Sequence, residues 1–167
     1  EKEPLRNTGI ADGATDNTSY IYYSIKKAID TVADPEVVEM NMLTVPGLTN
    51  DSLTSHVLNV CEERADALGI IDLAGGYVPS TENTDDAATR LGSISETITN
   101  LKARGINNSY GCTYYPWLQI RDNINGALLW VPPSVAAIGT LGSSAATSEV
   151  WFAPAGFNRG GLTEGSA

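Results

Sequence analysis

Residues 36–73 read EVVEMNMLTVPGLTNDSLTSHVLNVCEERADALGIIDL, and their order decides the fold class. Residues 36–45 alternate in part, with Val38, Met40, Met42 and Val45 in line, which predicts a strand ending at Pro46-Gly47. Asn50 or Asp51 then stands where a helix cap is needed. The helix that follows has Leu53, Val57, Val60, Cys61, the stem of Arg64 and Leu68 on one stripe. Gly69 is its expected stop, and residues 69–73 (GIIDL) form a short apolar run suited to a buried strand. Strand, helix and strand in succession imply parallel pairing, because parallel neighbours need a long crossover.

The same alternation continues outward. Residues 1–15 are polar, with Gly9 and Gly13 marking loop. A helix is predicted from Asp16, capped by Asp16 or Asn17, with Ile21, Ile25, Ala28 and Ile29 on one face and Pro35 closing the stretch. After a loop over residues 74–83, Thr84 is a candidate cap for a third helix. Ala87, Leu91, Ile94, Ile98 and Leu101 recur at 4-3-4-3, the clearest helical period in the chain, and Gly105 is its expected end. Residues 110–120 (YGCTYYPWLQI) read as a strand interrupted at Pro116. Asn125-Gly126 suits a type I′ hairpin turn that folds residues 127–131 back as an antiparallel partner. Pro132-Pro133 opens a fourth helix rich in small residues, where Gly139 and Gly142 suggest close packing. Residues 150–160 read as a short strand and a Gly/Pro loop. The expected fold is an α/β sandwich, a mostly parallel sheet flanked by helices plus one antiparallel hairpin. The expected layout is an N-terminal loop over 1–15, a core domain over 16–161 and a flexible tail over 162–167.

At 167 residues the chain is long enough for one ordinary domain, which buries roughly 70% of its unfolded surface. Apolar residues are 42% and charged residues 18%, as in globular rather than disordered proteins. No apolar run reaches about 18 residues and no signal-peptide pattern is present, which sets the expectation of a soluble intracellular chain. The net charge of -10 leaves no basic stripe for phosphate backbones, so nucleic acid and anionic membranes are not expected partners. The two cysteines, Cys61 and Cys112, match no metal spacing and read as small hydrophobes.

Chemistry-bearing candidates are few. His56 is the one histidine, and no GxSxG elbow accompanies it, so it reads as a boundary residue. Asp72-Leu73-Ala74-Gly75 spells DxxG after a predicted strand, where open α/β sheets bind ligands. A phosphate site of that class also needs GxxxxGK[ST], which is absent. Glu62-Glu63 and Asp85-Asp86 read as a solvated face and a charged helix start. Asn17-Thr18-Ser19 and Asn50-Asp51-Ser52 match glycosylation sequons without any sign of secretion. No catalytic residue, metal ligand or cofactor is expected. An α/β phosphate- or nucleotide-binding enzyme using the loop after Leu73 is the alternative, and a generic interaction module a further one. The last third holds Tyr110, Tyr114, Tyr115, Trp117, Trp130, Trp151, Phe152 and Phe157, part core and part candidate contact surface.

That aromatic stretch carries a family resemblance. Tyr115-Pro116-Trp117, then Asn125-Gly126, then Trp130-Val131-Pro132-Pro133-Ser134 with its small-residue helix lead into residues 150–160 (VWFAPAGFNRG). This string resembles the contractile-tail sheath proteins of myophages. Leu43-Thr44-Val45-Pro46-Gly47 and Arg64-Ala65-Asp66-Ala67 before residues 69–73 look like the family's PG loop and R-x-D-A helix end. The resemblance spans residues 10–161 and is most specific over 151–160. It implies a subtilisin-like sheath core without catalytic residues. It also implies a structural virion subunit that stacks as hexameric rings around the tail tube and contracts to drive the tube through the host envelope. Its implied partners are copies of itself, the tail tube protein, baseplate and tail terminator, with the host cytoplasm as the place of assembly. Trp117, Trp151, Pro154, Gly156, Arg159 and Gly160 are the implied motif or interface residues. Of these, Trp151 and Pro154 are expected to support the fold and Arg159, if exposed, to pair with acidic side chains of its own chain or of a neighbour. Full-length family members are much longer, so the chain is expected to lack terminal arms and, alone, to be monomeric or weakly associating.

Overall fold

The computed structural model describes residues 19–78, 85–156, 159–162 and 165–166. The chain forms two compact units, Glu1–Thr113 and Tyr114–Ala167.

In the first unit, helix α1 (Tyr20–Thr31) starts at Ser19, whose hydroxyl accepts from the Tyr22 amide at 3.3 Å. The expected caps Asp16 and Asn17, like the predicted loop over 1–15, lie outside the described residues. Ile29 is buried, Ile21 and Ile25 are half-buried, and Ala28 is exposed. Strand β1 (Met42–Thr44) is shorter than the predicted 36–45. Asp34 takes the preceding residues into a turn instead, its carbonyl accepting from Val38 N at 3.1 Å and its carboxylate from Glu36 N at 2.9 Å.

Helix α2 (Asp51–Arg64) is capped by Asn50, and Leu53, Val57, Val60, Cys61 and Arg64 are buried on it as the stripe predicts. It ends at Arg64 and not at Gly69. Ala65 turns left-handed at φ 58°, and Leu68 opens strand β2 (Leu68–Ile71). The early stop follows from the Arg64 side chain. Its Nε and Nη2 fork onto Asp66 at 2.9 Å each, while Nη1 donates to Val32 O at 2.8 Å and Nη2 to Val38 O at 2.9 Å. The chain must reverse after Arg64 to bring Asp66 to that fork.

Strands β1, β2 and β3 (Gly111–Thr113) lie side by side in chain order, all parallel, with Leu43 opposite Gly69 and Gly69 opposite Gly111. The mixed α/β class with a parallel sheet is therefore as the sequence reads. Gly69 and Gly111 leave a shallow seat for Leu58 of α2: a Cβ on Gly69 would stand 3.2 Å from Leu58 Cδ2, and one on Gly111 would overlap it. Ile29, Val57, Leu58, Val60 and Ile71 form the core cluster, with Ile25, Leu43, Val45 and Leu73 packed against it.

The predicted third helix is two helices. Asp86 caps α3 (Ala87–Arg90) and Ser93 caps α4 (Ile94–Arg104), while the expected cap Thr84 lies outside the described residues. Gly92 breaks the run at φ 68°. The 4-3-4-3 stripe is helical but faces out: Leu91, Ile94 and Ile98 are 45%, 61% and 46% exposed, and the residue α4 buries is Thr97. Gly105 ends α4 in the left-handed region, as expected. Arg104 reaches back to α2, its Nη2 within 2.9 Å of both Thr54 Oγ1 and Ser55 Oγ and 3.2 Å from Asp51 O.

His56 of α2 meets Asp30 of α1 at 2.6 Å, and Lys26 stands 3.6 Å from the same carboxylate. The His56 hydrogen bond, with help from the Lys26 charge, holds the Asp30 carboxyl below its usual range. A depressed aspartate stabilises the fold above its unfolded pKa and loses that contribution as pH falls through its folded value. Acid titration of unfolding should therefore show wild type more stable than Asp30→Asn at neutral pH, by about 1 kcal/mol or less because the pair is exposed. The two proteins should converge in acid.

In the second unit, β4 (Leu118–Arg121) pairs antiparallel with β5 (Leu128–Val131), the predicted hairpin. The turn is not type I′, which needs two left-handed residues. Asp122 N donates to Ala127 O at 2.8 Å and Gly126 N to Asp122 O at 2.7 Å, and only Gly126 is left-handed. The Asp122 carboxylate sets this longer loop by accepting from Ile124 N at 2.9 Å and Asn125 Nδ2 at 2.6 Å. Gly165–Ser166, within the stretch expected to be a tail, is strand β6 on the other side of β4. Helix α5 (Pro133–Thr147) starts at Pro132 as predicted. Its Gly139 and Gly142 face open space, so close packing does not explain them. All three tryptophans, Trp117, Trp130 and Trp151, lie in this unit.

Candidate functional site

In the most specific sequence string, the described residues 151–156 and 159–160 form turns; the Gly/Pro loop predicted there is present, and the short strand is not. Phe152 N donates to Glu149 O at 2.9 Å, Ala155 N to Ala153 O at 2.9 Å, and Gly160 N to Gly156 O at 2.9 Å. Gly156 is left-handed at φ 85°, a conformation a side chain disfavours. Gly160 lies against the Pro154-Ala155 backbone, where a Cβ would stand 2.8 Å from Pro154 O and 2.9 Å from Ala155 Cα. Both glycines are therefore requirements of the turn.

The turn leaves Trp151 and Arg159 outside. Trp151 stacks on Phe152 with ring centroids 4.3 Å apart, and the Arg159 guanidinium sits 4.2 Å from the Phe152 ring centre. Trp151 is 74% exposed, which corrects the expectation that it supports the fold; burial of the indole is what such a role requires. Pro154 is half-buried and, with Tyr114, Tyr115, Pro133, Leu141 and Gly160, lines an apolar groove of about 340 Å³. Trp117 is half-buried beside β4. Arg159 is exposed with its guanidinium over a ring; among the described residues it has no ion pair. Sequence reasoning missed that Phe152 is the platform for Arg159, because no spacing rule links residues that far apart in a turn.

The other candidates serve the fold. His56 does gain a carboxylate, Asp30, but the one hydrogen bond of its ring among the described residues is to that group, and no nucleophile is seen to join them there. Asp72 is 1% exposed, and its Oδ2 accepts from Gly47 N at 2.8 Å, tying the Pro46-Gly47 turn to the end of β2. Removing a buried charged acceptor of this kind costs about 2 kcal/mol, so Asp72→Ala should lower the urea midpoint by about 1 M, and Asp72→Asn by less. The loop after it covers the start of α4: Gly75 O accepts from Ser93 N at 3.2 Å, and a Cβ on Gly75 would stand 2.9 Å from Thr97 N. Ser93 already caps that helix start, accepting from Glu96 N at 3.1 Å, which argues against a phosphate seated there. Cys61 is a buried thiol whose pKa burial pushes up, the behaviour of an inert core group. Among the described residues no cluster of His, Cys, Asp and Glu could hold a metal ion, and no helix is long and apolar enough to cross a membrane.

Compared with known proteins, the chain matches no family model and no curated protein.

Proposed function

We propose that this chain is part of a structural subunit of a contractile phage tail sheath, which works by packing against copies of itself. The observation that carries the reading is the turn that residues 151–156 make with residues 159–160. Its sequence string resembles the sheath motif, its glycines are demanded by the backbone, and its Trp151 and Arg159 are turned outward, where an assembly protein needs anchors. The Arg64-Ala65-Asp66-Ala67 element supports it further, since each polar side chain of that string has a structural role. The parallel β1-β2-β3 sheet suits the subtilisin-like topology that the resemblance implies. In this reading the subunit carries no active site. Contraction is powered by moving near-rigid subunits into a lattice with more buried contact. The partners are further copies, the tail tube, the baseplate and the tail terminator, in the virion.

Electron microscopy of the full-length protein tests this. Hollow tubes of uniform width are the expected result; their absence across salt conditions would overturn it. Calorimetry with nucleotides and Mg²⁺ addresses the phosphate-binding alternative, for which no heat of binding is expected.

A further inference from the structure

A second surface of the chain is the electrostatic counterpart of the Trp151–Arg159 cluster. Helices α1 and α2 end side by side, because Arg64 at the end of α2 donates to Val32 O at the end of α1. Each helix end carries about half a negative charge, and α1 has no basic residue in its last turn to offset it. Around this point stand Asp34, Glu36, Glu39, Glu63 and Asp66, all exposed. Asp34 and Glu36 lie in the turn between the two carbonyls Arg64 holds, Glu39 follows Val38, Glu63 precedes Arg64, and Asp66 is bonded to it. The one cation among them is Arg64, buried and spent on internal bonds. Five carboxylates against one guanidinium leave this pole at -4.

We infer that the acidic pole at the ends of α1 and α2 in one copy receives the Trp151–Phe152–Arg159 cluster of a second copy. The inference rests on the sheath reading for its partner and on the charges for its geometry. The cluster suits such a contact, because Arg159 is held over a ring and has no ion pair among the described residues, so little order is lost on binding. The neighbouring Val150 and Trp151 are 84% and 74% exposed and supply apolar area beside the charge. Neither surface complements itself, since acid against acid repels. Each contact therefore joins unlike patches of two copies.

Sedimentation of this chain at low ionic strength tests the contact. Wild type should associate weakly and lose the association as salt rises. Arg159→Glu alone, or Glu36→Lys with Glu39→Lys, should each weaken association by about tenfold or more, with unfolding midpoints unchanged. Mixing the two variants should restore association, because the intact Arg159 cluster of one meets the intact acidic pole of the other. Trp151→Ala should weaken it without altering charge. Absence of wild-type association at low salt, unaltered association of Arg159→Glu, or no recovery in the mixture would each overturn the inference. Uniform tubes from full-length Arg159→Glu protein would sink this contact and leave the sheath reading standing. No tubes from wild type would sink the sheath reading instead.

Discussion

Arg64→Ala is expected to be the most damaging single substitution among the described residues of the first unit. The guanidinium is 1% exposed and makes four hydrogen bonds, two to Asp66 and one each to the carbonyls of Val32 and Val38. Truncation leaves two carbonyls without their charged donor and frees the exposed Asp66, for a loss of about 3 kcal/mol. It also unties the turn over residues 34–38 and the end of α1 from α2. Chemical denaturation followed by far-ultraviolet circular dichroism should show the unfolding midpoint fall sharply. Arg64→Lys should recover less than half of the loss, because an ammonium cannot fork onto a carboxylate while also reaching two carbonyls. A shift within error for Arg64→Ala would mean that the R-x-D-A element has no structural role.

Gly92→Ala is expected to rank next. At φ 68° a side chain already costs about 1 kcal/mol. The new Cβ would also overlap the Gly75 carbonyl oxygen and stand 2.7 Å from Gly76 O, so it meets backbone that no rotamer change can move aside. Strain and overpacking together come to about 3 kcal/mol. Hydrogen exchange should localise the damage, with protection lost first at Ser93, whose amide donates to Gly75 O, and at Val78, whose amide donates to Arg90 O. Gly105→Ala is the control. Gly105 is also left-handed, at φ 57°, but a Cβ there meets nothing within 4 Å, so only the conformational part should appear.

Local chemistry made much of the first unit legible. The stripe of α2, its Asn50 cap, the parallel strand over 68–71 and the Gly105 stop each follow from residues acting within one turn or one strand. What could not be read depends on distant partners. The stop of α2 at Arg64 needs the carbonyls of Val32 and Val38, and the break at Gly92 needs the backbone of Gly75. The outward stripe of α4 shows the same limit: periodicity places Ile94 and Ile98 on one face but cannot say which face meets the sheet. In the second unit, the Asn125-Gly126 signal found the hairpin, while the Asp122 carboxylate chose the loop. At the candidate site the motif glycines were legible as a string, and their geometric necessity was not. The acidic pole was missed because its carboxylates come from two segments distant in sequence that Arg64 draws together.

The confinement of all three indoles to Tyr114–Ala167 gives the chain two separable optical reporters. Intrinsic emission excited at the red edge registers that half alone. Ellipticity is weighted toward the other half, which holds α1 to α4. Overlaying the two melting curves therefore reads the cooperativity between the halves without any label.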